Sequence, residues 1–179
     1  MSKAKKLGNE ELAVWRNSVV EEVIWPELPI CDAHHHLWDH TGDRYYAAEL
    51  AADIGDGHNI TQTVYVECGS DYRPDGPAEL APIGEVEFVV GQEQQLQAIL
   101  GRPLITGIIG FADLRRGNAV EDVLSAHIEV ADGRFAGVRH STAWDENSAI
   151  VNHQLDPPAR LLRDPSFIAG AKILGQLGL

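Results

Sequence analysis

Basic residues are scarce in this sequence. Lys and Arg number 14 against 27 Asp and Glu over 179 residues, a formal charge of −13. That deficit argues against the basic stripe with which proteins displace counterions from nucleic-acid phosphates. It argues equally against a polybasic membrane anchor. Cysteine is almost missing as well. Cys31 and Cys68 are far apart in sequence and build no disulfide framework. Their apolar, strand-like surroundings read as those of reduced core thiols in a cytoplasmic protein. No apolar run approaches the ~20 residues of a transmembrane helix, so neither a nucleic acid nor a membrane is an expected partner. The basic residues 1–6 lead into Gly8-Asn9-Glu10-Glu11 and not into an apolar stretch, which argues against a secretory leader. Gly107-Ile108-Ile109-Gly110 lacks the Gly-Lys-Ser/Thr ending of a phosphate loop. Neither cysteine has a base near it in sequence, so a thiol nucleophile has little support.

What remains is an ordinary globular composition, 44% hydrophobic and 23% charged, long enough for one domain with a real core. Strand-like and helix-like stretches alternate. Asn9, followed by Glu10 and Glu11, suits the start of a helix running to about Glu22, where Trp25-Pro26 breaks it. Residues 30–34 read as a short strand and 46–54 as a helix. Residues 61–67 (TQTVYVE) are β-branched and aromatic, a second strand. A polar loop over 69–77 precedes a helix over 83–100, with Gly91 as a candidate break. The apolar run 104–112 (LITGIIGFA) fits a strand covered on both faces. Val120, Val123, Leu124, His127 and Ile128 trace one face of a helix over 119–130, with His127 a core histidine. Residues 135–140 (FAGVRH) make a fourth strand, and a last helix follows Asp164-Pro165. Four strand–helix units imply an α/β protein with a parallel sheet. Residues 1–29 stand apart as an N-terminal helical extension. Trp15, Trp25, Trp38 and Trp144 read as packing anchors. His40, His58 and His153 fall in turn-like stretches without ligand spacing.

The strongest chemical signal is Cys31-Asp32-Ala33-His34-His35-His36-Leu37-Trp38-Asp39. Side chains alternate along a strand, so Asp32, His34 and His36 share one face and His35 takes the other. Two imidazoles at i and i+2 can grip one divalent ion, and Zn²⁺ takes such nitrogens at about 2.0–2.1 Å. Asp32 could orient a histidine through its second nitrogen. A run of partly buried histidines with packing roles is the alternative.

This segment resembles the opening of the amidohydrolase-related family, TIM-barrel hydrolases whose first strand carries a His-x-His pair, here His34 and His36. Residues 63–67 resemble the family's second strand. Residues 72–77 and 82–89 resemble the loop and helix after it. Residues 107–114 resemble the third strand and 137–140 the fourth, in the branch that includes lactonases. The resemblance covers the chain from about Ile30 onward. It implies a partial (β/α)₈ TIM barrel of about four βα units with parallel strands, residues 30–179 being the N-terminal half. Later-strand groups of the family, a histidine near strand six and an aspartate at strand eight, have no counterpart here.

The implied activity is hydrolysis of a lactone or other cyclic ester by metal-activated water, with His34 and His36 as ligands of a divalent metal, zinc first. A metal-free version has the same histidines bonding the carbonyl. Amide hydrolysis and decarboxylation are close variants. Active-site groups of such barrels sit at the C-terminal ends of strands. Glu67 and His140 are the catalytic candidates there. Glu67 could support a ligand or bind a substrate hydroxyl, or be a solvated strand end. His140 could steady an oxyanion or move protons. Arg139 offers a planar fork to a substrate carboxylate, or an ion pair to an acidic neighbour. Tyr72 and Arg73 could close over a small-molecule substrate, or be solvated. Asp113 could cap the next turn. The alternative reading is a non-catalytic half-barrel or an α/β module that self-associates into a homo-oligomer, since open strand edges and apolar surface favour association.

Overall fold

Acidic side chains suit a helix N-terminus, and α1 (Asn9–Arg16) carries Glu10 and Glu11 in its first turn. The computed structural model describes residues 8–19, 21–40, 43–147, 149–150 and 157–179. Gly8, and not Asn9, holds the cap position: its carbonyl accepts the Leu12 amide at 2.8 Å, and its amide donates to Glu11 Oε2 at 3.0 Å. The helix stops at Arg16, short of residue 22. There the Ser18 hydroxyl donates to the Trp15 carbonyl at 2.6 Å, a local bond that competes with helix continuation.

β1 (Ile30–His35) follows, then a short antiparallel hairpin of β2 (Trp38–His40) and β3 (Asp43–Tyr45). Sequence reading missed the hairpin, whose strands are three residues each; Trp38 stacks on Tyr45 across it at 5.1 Å. In α2 (Ala47–Ile54) the first amides are served from side chains. Tyr46 N–H donates to Glu49 Oε2 at 2.9 Å and Ala47 N–H to Gln92 Oε1 at 3.0 Å. β4 (Ile60–Val66) leads to α3 (Ile83–Leu100), which runs unbroken through Gly91 and ends at Gly101 with φ 71°. β5 (Ile105–Gly110), α4 (Glu121–Val130), β6 (Phe135–Val138) and α5 (Pro165–Leu177) complete the order. Asp164 caps α5 by accepting the Phe167 amide at 2.9 Å, with Pro165 in the first turn.

The four longer-range strands form one parallel sheet in the order β1-β4-β5-β6. A parallel pair cannot be joined by a tight turn, and the intervening helical segments supply the crossovers. The α/β expectation of four βα units therefore holds. Register is fixed by one buried face. Tyr65, Ile105 and Ile108 pack with Val86, Val89 and Leu96 of α3 in one core. A slip by one residue would turn all three outward. Each such side chain contributes roughly 1.5–3 kcal/mol by leaving water. A second core joins Ala112, Leu114, Val123 and Leu124 to Leu161, Phe167 and Ile173.

Two buried acids hold helix to strand. Glu93 of α3 accepts the consecutive amides of Leu104 and Ile105, one on each oxygen, both at 2.9 Å. Gly170 of α5 lies so close to the Leu114 carbonyl that a Cβ would overlap it. Glu85, the other acid, belongs to the site below.

The opposite face of the sheet is open: Gln62, Thr106 and Ala136 are exposed, and Val64 and Ile109 are half-buried. Residues 104–112 are thus covered on one face, not both. Cys31 is exposed and Cys68 half-buried, both free thiols, which corrects the core assignment of Cys31. Trp15, Trp25 and Trp144 are exposed and anchor no core; Trp38 is half-buried. Among the described residues no helix is long and apolar enough to cross a membrane. Residues 1–6 and His153 lie outside the described residues.

Candidate functional site

β1 reaches its C-terminal end with a register shift between Asp32 and His35. Such irregularities re-aim side chains. The Asp32 carboxylate accepts the His34 amide at 3.1 Å and steadies this bend. The outcome is convergence. The Nε2 atoms of His34 and His36 stand 3.2 Å apart, the rings nearly perpendicular at 84° with centroids 4.8 Å apart. His36 Nδ1 lies 2.6 Å from the Val66 carbonyl oxygen. A carbonyl can only accept, so this nitrogen carries the proton and Nε2 keeps its lone pair. Burial above all, and the nearby Arg139 guanidinium, lower the His36 pKa. The ring is neutral at pH 7.

These are the features a nitrogen-bound cation requires. Two nitrogens on one tetrahedral zinc at ~2.05 Å are about 3.3 Å apart, close to the observed spacing. A carbonyl behind the ligating ring fixes its tautomer. Among the described residues, no group of three or more His, Cys, Asp or Glu is placed to hold a metal ion. The pair therefore fits a metal as a partial ligand set.

Glu67 follows β4 and is 4% exposed, so it is no solvated strand end. Its Oε1 accepts Arg139 Nε at 2.7 Å, and its main-chain carbonyl accepts Arg139 Nη2. The ion-pair reading of Arg139 is the one the geometry takes. Glu67 and Arg139 both act on the charge of His36, which places all three in one electrostatic neighbourhood at the C-terminal end of the sheet. Tyr72 is half-buried; burial first, then Glu85 and Glu67, push its hydroxyl pKa up, and it stays protonated. Its loop rests on α3 where Gly84 has no side chain; a Cβ there would stand 2.5 Å from the Asp71 carbonyl. Arg73 turns instead to Glu87 on α3, a half-exposed ion pair.

His140 departs from Arg139, as alternation along a strand expects. Its Nε2 lies 3.3 Å from Asp113 Oδ1 and its Nδ1 3.1 Å from the Ser141 carbonyl. Its ring packs against Phe111 and Phe167. Asp113 caps the 3-10 turn Leu114–Val120 by accepting the Arg115 amide at 3.0 Å. The Arg115 side chain, bonded twice to Asp113, holds that carboxyl down to about 2. His127 is a core histidine, stacked on Phe135 at 4.8 Å, with Nε2 bonded to the Phe111 carbonyl and Nδ1 without a partner among the described residues.

No family model, no curated protein and no solved structure matches this chain.

Two participants escaped sequence reading. His35 is buried, with Nε2 3.0 Å from the Thr63 hydroxyl, and burial lowers its pKa to about 4. Its place on the face opposite His34 was readable; its burial was not. Glu85, 1% exposed in the first turn of α3, accepts three donors on Oε1: Tyr65 OH and Cys68 N–H at 2.8 Å, and Ser70 N–H at 3.1 Å. An acid in a helix's first turn signals only favourable placement at the dipole.

Proposed function

We propose that this chain forms the first half of a (β/α)₈ barrel of the amidohydrolase-related kind. In this reading the complete barrel hydrolyses a lactone or other cyclic ester, with His34 and His36 holding a divalent cation, zinc first. The observation that carries the reading is the 3.2 Å approach of two imidazole Nε2 atoms at the C-terminal end of a parallel sheet. Bound zinc would polarise the ester carbonyl and bring the pKa of water towards ~7.

The chain's own residues do the rest. Val66 holds His36 in the tautomer whose Nε2 is free to ligate. Glu67 anchors Arg139 through Nε, which leaves Nη1 with two N–H donors for a substrate carboxylate or an oxygen gaining charge. Tyr72, kept protonated, offers a further donor from the loop after β4. His140 supports this end of the sheet from its contact with Asp113. The two free thiols are in keeping with a reducing, cytoplasmic setting.

Calorimetric titration with zinc, run beside a lactone panel read by acid release, tests this. One equivalent of zinc should bind, and His36→Ala should abolish uptake and, in the complete enzyme, lower turnover at least a hundredfold with the fold kept. Uptake that survives in both His34→Ala and His36→Ala would refute the site.

One observation favours a second reading. Among the described residues β1 and β6 end the sheet without neighbours, and one sheet face is open. Unpaired edges template association, so self-association alone is the function if sedimentation finds oligomers and the zinc titration is flat.

A further inference from the structure

We infer that Glu85 is a positioning residue for Arg139, gripping the peptide unit between Glu67 and Cys68 from the side opposite the guanidinium. The functional weight of this rests on the reading above, in which Arg139 serves the substrate.

The peptide unit in question is held at both ends. Its N–H, from Cys68, donates to Glu85 Oε1 at 2.8 Å. Its C=O, from Glu67, accepts Arg139 Nη2. The Glu85 carboxyl oxygen thus lies at the positive end of the peptide dipole and a cation at its negative end. Hydrogen bonds in such a series polarise one another, each strengthening the next. Arg139 is tied to the same residue a second time, Nε to the Glu67 carboxylate at 2.7 Å. Whatever orients Glu67 therefore orients Arg139.

Glu85 does this orienting. Its Oε1 collects donors from Tyr65, Cys68 and Ser70. Tyr65 lies within β4, and the other two lie in the loop just after it. One oxygen bound to all three leaves that loop a single arrangement. Glu85 also has no direct ion pair among the described residues, and its Oε2 has no hydrogen-bond partner. A buried carboxylate is costly without compensation. Here the compensation comes from the three donors on Oε1, which oppose the upward pull of burial on its pKa, and from the N-terminus of α3. Oε1 can accept whether or not the group carries a proton, so a glutamine can present the same acceptor. An aspartate, one methylene shorter, cannot reach all three donors.

The readout is the Arg139 Nε–Hε resonance in a ¹⁵N correlation spectrum, assigned by its loss in Arg139→Lys. In the wild type it should exchange slowly with water. Glu85→Gln should keep that rate within about twofold. Glu85→Asp and Glu85→Ala should each raise it at least tenfold, with backbone resonances remote from residues 65–70 and 139 unchanged. A folded Asp or Ala variant with the wild-type rate overturns the inference, and so does a Gln variant no better than Ala. Should neither Asp nor Ala fold, the wild-type Cys68 and Ser70 amides decide: slow exchange supports the grip, and exchange at the rate of an open loop overturns it. The measurement needs neither metal nor substrate. A chain that takes up no zinc, yet shows this pattern, would sink the metal-dependent reading and leave Glu85's role standing.

Discussion

Replacing Glu67 with glutamine keeps the side chain's shape and removes its charge. Arg139 Nε then loses a charged acceptor 2.7 Å away, while the Glu67 carbonyl remains available to Nη2. A hydrogen bond to a charged group is worth about 1.5–3 kcal/mol, so Glu67→Gln should cost about 2 kcal/mol. Arg139→Met is the harsher change. It strips Glu67, whose side chain is only 6% exposed, of its cation and removes the carbonyl bond as well. Breaking a buried pair from one side costs about 3–5 kcal/mol, because the remaining charge stays desolvated. The double variant leaves no charge stranded and should cost less than the two single losses together, by about 2 kcal/mol. Urea unfolding at pH 7.5, followed by circular dichroism, measures all four corners of the cycle. Losses that add to within ~0.5 kcal/mol, the range of independent sites, would show that the two groups are adjacent but uncoupled. The description of Arg139 as held by Glu67 would then fail.

Gly170→Ala should lower stability by about 1–3 kcal/mol, because its Cβ overlaps the Leu114 carbonyl. Gly91→Ala, in open space mid-helix, should raise it by about 0.5–1 kcal/mol. Thermal melts that rank the two the other way would contradict the packing of α5. Acid should weaken the fold through His35. Its folded pKa of about 4 lies below the ordinary 6.5, so the unfolded chain binds the extra proton. Stability is full above pH 6.5 and is lost as pH falls towards 4, by an amount on the order of 3 kcal/mol. His36 and His127, lowered by burial too, act with the same sign. His35→Gln should flatten the urea-midpoint curve between pH 7 and 4.5; an unchanged slope would assign the loss to other groups.

The strands were legible because their pattern is local. TQTVYVE announces β4 by composition, and Val123, Leu124 and His127 announce the buried stripe of α4 by spacing. The His34–His36 pair was legible for the same reason, being set by two residues of one strand. What could not be read depends on which surface the fold covers. Cys31 and three of the tryptophans look apolar in sequence and stand exposed, since an apolar residue outside breaks no physical rule. Partners distant in sequence were equally hidden. Arg139 finds Glu67 72 residues away, and Glu85 and Glu93 spend their oxygens mainly on backbone amides, which carry no letter in the sequence.

Glu93 gives β5 an unusual beginning. The first rungs of a strand are ordinarily where a sheet loosens, since nothing upstream holds them. Here the amides of Leu104 and Ile105 are latched to a side chain that sits within α3, two turns from its end. Solvent deuterium can reach those two amides only when the helix itself lets go, so strand and helix should open as one unit. The start of β5 would be among the last parts of the sheet to unzip.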